Sequence, residues 1–136
     1  MEGILTCRAC GAALSGMLTI LSTKDPAVTV PDHRDGEPFG PPGVAYKSWE
    51  PLAKAFEGPP VPLQFVPQFW LNPEDVAGRV RDTTNRCRLN GCCGLDGMNG
   101  PNQQCACGAE VGTLQSDCWT AHIFVPEPDA TEWCDG

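Results

Sequence analysis

Apolar residues fall in short runs rather than long stripes. Residues 13–21 read Ala-Leu-Ser-Gly-Met-Leu-Thr-Ile-Leu, which predicts a strand kinked at Gly16, and residues 27–30 predict a second, shorter one. Further strands are expected at 68–71, 109–113 and 121–125. Helical signals are fewer. At 72–75, Asn-Pro-Glu-Asp offers a capping side chain, a proline suited to the first helical position and two acids for the positive end of the dipole. That start predicts a helix running to about Arg81, and a second short helix is expected over 51–56, ended by Gly58. Residues 31–68 carry nine prolines and should be extended or turning. Trp49, Phe56, Phe65, Phe69 and Trp70 favour packing of this stretch on its own domain over service as a free proline-rich ligand.

A length of 136 residues fits one domain, and 15 Gly with 14 Pro disfavour long helices. The expected fold is a small β-rich α+β unit, zinc-ribbon-like and metal-stapled, with one or two short helices. Its parts are an N-terminal knuckle at 1–30, the Pro-rich middle at 31–68 and a cysteine-rich region at 87–119. No run of about 18 apolar residues could span a bilayer, and the first residues show neither a basic flank nor an apolar signal core, which predicts a cytoplasmic protein.

Nine cysteines change the picture most, six of them between 87 and 118. Without an export signal, an odd number of thiols points to metal before disulfides. Cys7-Arg8-Ala9-Cys10-Gly11 is a C-x-x-C-G turn that aims two sulfurs at one ion, with a glycine tolerating the left-handed backbone that follows. Cys105-Ala106-Cys107-Gly108 is a C-x-C-G variant, and Gly91-Cys92-Cys93-Gly94 flanks two thiols with glycine. Adjacent Cys92 and Cys93 point apart if extended, so they can serve different ions. The predicted centre is two Zn2+ ions shared among Cys7, Cys10, Cys92, Cys93, Cys105, Cys107 and Cys118, with an eighth ligand from Cys87, His122 or Asp117. Spacing alone does not separate zinc from four-thiolate iron. Cys134, close to the end, is expected to stay unligated, and Trp119 is expected to shield a metal from water.

Charge then narrows the partners. Residues 1–88 hold nine basic and ten acidic groups, whereas 89–136 hold seven acids and no Lys or Arg. Phosphate backbones need positive charge, so nucleic-acid binding by the finger-like end is disfavoured, and a basic protein partner is expected instead. Eight thiolates holding two dications would move the formal charge from −8 to −12, an electrostatic reason for Arg79, Arg81, Arg86 and Arg88 to face the cysteine region.

Other chemistries fit less well. A zinc deaminase needs H-x-E and P-C-x-x-C elements that are missing. An EF-hand wants Gly where Pro101 stands, and a thioredoxin-like C-x-x-C needs a helix after it, whereas a strand is predicted here. With two histidines and many thiols, closed structural zinc sites are favoured over catalytic ones.

The segments Gly91-Cys92-Cys93-Gly94-Leu95-Asp96-Gly97, Gly100-Pro101-Asn102, Cys107-Gly108-Ala109-Glu110-Val111-Gly112-Thr113 and Asp117-Cys118-Trp119 resemble a family of small bacterial cysteine-rich proteins, as does the Cys7 to Gly11 turn. The resemblance covers about 40 residues. It implies ribbon-like cysteine turns in a small bacterial protein and carries no activity with it. The sequence therefore predicts a structural zinc protein acting as a non-catalytic binding or adaptor module. The alternatives are a metal-dependent enzyme or metal-handling protein with an incompletely ligated zinc, and an exported protein held by disulfides.

Overall fold

The computed structural model describes residues 1–49, 67–97 and 100–135. Among them nine strands form one mixed sheet. In chain order they are β1 (Glu2–Cys7), β2 (Ala13–Ser22), β3 (Val44–Ser48), β4 (Gln68–Leu71), β5 (Arg81–Asp82), β6 (Gln103–Gln104), β7 (Glu110–Gln115), β8 (Ile123–Pro126) and β9 (Thr131–Cys134). The spatial order is β5-β6-β7-β8-β4-β3-β2-β1-β9. All neighbours are antiparallel except β2 and β3, which run parallel in a register that sets Ile20 beside Ala45.

This architecture corrects the expected α+β, zinc-ribbon-like class. The helix expected from Asn72 to Arg81 is a single 3-10 turn at Pro73–Asp75, and a second such turn covers Arg86–Arg88. Asn72 does cap, its Oδ1 accepting from the Glu74 amide at 2.9 Å. Extension fails because Val76 is the only fully buried side chain between 73 and 81, and Gly78 turns the backbone left-handed at φ +79°. Without a recurring apolar face, nothing offsets the cost of propagating a helix. The helix expected at 51–56 lies outside the described residues.

Residues 27–30 form no strand either. A turn bonding the Val28 amide to Asp25 O leads into them, and Val28 and Val30 pack as loop residues on the sheet. The strand that extends the sheet beside β2 is β3, inside the Pro-rich segment, where Val-Ala-Tyr-Lys-Ser is a short proline-free run.

Side-chain alternation divides the molecule into two apolar layers. In β3, β4 and β8, Ala45, Leu71 and Phe124 point to one face while Tyr46, Trp70, Ile123 and Val125 point to the other. The first face joins Leu5, Leu14, Leu18, Ile20 and Val111 in the main core. The second, to which Val44 of β3 also points, is covered by Val28, Val30 and Phe39 from the chain between β2 and β3, with Phe39 edge-on to both Tyr46 and Trp70. Both faces of the central strands are thus buried, which the spacing of apolar residues in 68–71 and 121–125 permits.

The loop carrying the later cysteines is tied down by polar groups. Asn102, fully buried, accepts from the Leu114 amide at 2.7 Å and donates to Leu114 O at 2.9 Å, so its side chain pairs with β7 in place of a backbone. The neighbouring Arg88 forms an ion pair with Glu110. Replacing Asn102 with Leu would leave both Leu114 groups unpaired in the interior. We expect a loss of about 2–4 kcal/mol, read as a lower midpoint in urea unfolding.

Glu127 is a local liability. Burial, then the nearby Asp129 and Glu110 carboxylates, raise its pKa above the ordinary glutamate value, with Arg88 opposing. A carboxyl so raised contributes stability below the unfolded value and loses it as pH rises through the folded one. Glu127→Gln should therefore raise the melting temperature at pH 7 and leave it unchanged below about pH 4. Thermal scans across that range test the sign.

Candidate metal centre

Both knuckles are hairpin tips. The first joins β1 to β2: the Gly11 amide bonds Cys7 O at 2.7 Å, the Cys7 amide bonds Ala12 O at 2.9 Å, and Gly11 sits at φ +76°. The second joins β6 to β7, with the Gly108 amide on Cys105 O at 2.9 Å, the Cys105 amide on Ala109 O at 2.9 Å, and Gly108 at φ +92°. A Cβ at either glycine would meet nothing within 4 Å, so backbone conformation and not space is what asks for glycine there.

In a flat sheet of this strand order the two tips would lie about five strand spacings apart, roughly 24 Å. They touch instead. Cys7 Sγ lies 3.7 Å from Cys107 Sγ, and Cys10 Sγ lies 3.6 Å from Cys105 Sγ. The sheet must therefore curl until its two hairpins meet, with the main core inside the curl. Cys7 shares the parity of Leu5 in β1 and points inward, and Cys105 does the same from the other tip. Both are fully buried, whereas Cys10 and Cys107 are exposed.

These four sulfurs all lie within 4.8 Å of one another. Four thiolates at about 2.3 Å from a zinc ion form a tetrahedron with edges of about 3.8 Å. The two cross-hairpin pairs are already at that spacing, and each hairpin supplies one member of each pair. Burial pushes the Cys105 thiol up to about 12 and also raises Cys7. Cys107, whose sulfur faces the Ala109 amide, is drawn down to about 7. A set holding one ready thiolate and two reluctant thiols gains most from a cation that neutralises all four together.

A second group gathers Cys92, Cys93 and Cys118, all exposed. Asp117 organises it. Its carboxylate accepts from the backbone amides of Cys92 (3.2 Å), Cys93 (2.8 Å) and Cys118 (2.8 Å), and those bonds, the one to Cys93 foremost, hold it below the usual aspartate range. The glycines on either side of Cys92 and Cys93 are sterically required. A Cβ on Gly91 would run into Gly94 O, and one on Gly94 into Ser116 O. The Leu95 amide also bonds Ser116 Oγ at 3.0 Å, stitching the loop to the end of β7.

All seven cysteines singled out in the sequence thus fall in these two groups, four in one and three in the other. None of the candidates for an eighth ligand joins them. Cys87 sits in the 3-10 turn at Arg86–Arg88, His122 lies before β8 with its backbone bonded to Glu37 and Phe39, and Asp117 stands beside the second group, accepting from three backbone amides and from the Cys118 thiol at 3.4 Å, without completing it. Cys134, on the edge strand β9, lies 3.6 Å from Thr6 Oγ1. Trp119, expected to shield a metal from water, is 73% exposed. The four arginines expected to face the cysteine region go to different places. Arg88 holds Glu110 and Pro101 O, Arg79 reaches Ser15 O, and Arg81 and Arg86 are exposed.

Sequence reasoning missed the part played by Asp117. The signal was available: an Asp immediately before a cysteine, in a chain with a glycine-flanked pair elsewhere, is suited to collecting loop amides. No family model matches this sequence, and no curated protein or solved structure is significantly similar to it.

Proposed function

We propose that this protein is a metal-stapled binding module in which Cys7, Cys10, Cys105 and Cys107 hold a structural zinc ion and Cys92, Cys93 and Cys118 hold a second ion. The carrying observation is the meeting of two hairpin tips with cross-pair sulfur separations of 3.6 and 3.7 Å. Those values suit a tetrahedral ion and are far from the roughly 2.05 Å of a disulfide. Four thiolates leave no coordination position for a substrate, which supports a non-catalytic role for the first ion. The proposed partner is a basic protein, since no Lys or Arg occurs after Arg88 to offset seven carboxylates.

Elemental analysis of protein purified under reducing conditions tests the reading. The expected result is at least one zinc per chain, lost from the four-cysteine group in Cys10→Ser. Zinc below one per chain, or a native protein in which most thiols fail to titrate, would overturn it.

A further inference from the structure

The two cysteine groups differ in a way that assigns them different work. The first is closed, half-buried and preformed. The second has three sulfurs, each on an exposed residue, and the carboxylate beside them accepts from three backbone amides and, at 3.4 Å, from the Cys118 thiol. Cys93 and Cys118 Sγ lie only 2.7 Å apart, so the pair must open by about 1 Å to straddle an ion. Its loop can do so without disturbing the core, because none of the three cysteines belongs to either apolar layer.

We propose that Cys92, Cys93 and Cys118 form an open, exchangeable site for a thiophilic dication whose fourth coordination position takes a thiol from outside this chain. Three thiolates select a soft or borderline ion over magnesium or calcium. Their combined charge with a dication is −1, so a neutral or singly charged fourth ligand is accepted at little electrostatic cost. Asp117 is a positioning residue: it fixes the direction of three amides and thereby of the sulfurs, without touching the ion. Trp119, adjacent in sequence to Cys118 and largely exposed, offers an incoming thiol carrier an apolar surface on the same turn. The exchange would break the thiol S–H bond and a metal–water bond and form a metal–sulfur bond, with the proton passing to solvent and no change of oxidation state.

The inference rests on the reading of the cysteine groups as metal sites, and cobalt(II) separates the two. Reduced full-length protein should bind two equivalents of Co(II). Adding 2-mercaptoethanol should raise the sulfur-to-cobalt absorption of the weaker equivalent by about a third, as three Co–S bonds become four, and leave the tighter one unchanged. With zinc in both sites, a chelator should remove the second ion at least about tenfold faster than the first, with circular dichroism preserved. Cys118→Ser should delete only the labile equivalent. Cys92→Ser, which spares the position beside Asp117, should do the same. Asp117→Asn should retain the ion but weaken it and blunt the response to added thiol. A single equivalent in the wild type, or a second one unmoved by external thiol and altered by Cys87→Ser, would overturn the open site while leaving the structural centre standing. Absence of both equivalents would overturn both.

Discussion

If Cys7, Cys10, Cys105 and Cys107 hold the proposed zinc ion, stripping it, or replacing Cys105 with Ser, is expected to leave a chain without cooperative tertiary structure. Structural zinc sites of this type supply roughly 10–16 kcal/mol of apparent binding energy in small peptides, against a net stability of about 5–15 kcal/mol for a typical domain. The site joins the two ends of the curled sheet, and Cys7 and Cys105 belong to the main core. Losing the ion would also leave four thiols crowded at one spot, two of them fully buried. Near-ultraviolet circular dichroism and thermal scans with and without a strong chelator will show this. Cys134→Ser, outside both groups, should move stability by less than about 1 kcal/mol. A chelated protein that kept a sharp melting transition would mean that apolar packing alone holds the curl.

The second large effect concerns Gly112 and Phe124. Gly112 lies in β7 opposite Pro126, and a Cβ there would drive into the Phe124 ring and approach Val125 O to 2.8 Å. Phe124 is fully buried at the centre of the main core, so its ring has nowhere to go. Gly112→Ala should cost about 1–3 kcal/mol by overpacking, and Phe124→Ala about 3–5 kcal/mol by opening a cavity. Together they should cost less than their sum, because the new methyl enters space the ring has left. Urea unfolding of the two single variants and the double variant measures that coupling. Simple additivity would show that the two positions do not share the space.

How far the sequence could be read depended on whether the signal was local. Strands β2, β4, β7 and β8 were legible within a residue or two, because each is a short run rich in apolar residues, and in β4 and β8 that run is near-continuous since both faces are buried. The capping of Asn72 was equally plain, yet the helix behind it was not formed, since persistence depends on an apolar face that 76–81 lacks. β1 was invisible as a strand: its inward residues Gly3, Leu5 and Cys7 read as an ordinary start followed by a metal knuckle. β9 went unread too, because it exists through pairing with β1 across the whole chain. Cysteine spacing identified the turns, but not which turns meet. That is a property of strand order and curl, and no local pattern contains it. The grouping into four and three follows from the same cause, since Cys92 and Cys93 lie on one loop and face one partner, Cys118, rather than diverging to separate ions.

The sulfurs that face each other across the hairpin tips are separated by 95 and 100 positions along the chain. A ribosome adding about 5–20 residues per second therefore needs about 5–20 s after making Cys10 before Cys105 and Cys107 exist. Throughout that interval the newborn protein displays an unfinished pair of thiols at a hairpin tip, open to oxidants and to stray ions. An ion held by all four sulfurs can therefore close the curl only after the second tip has been made.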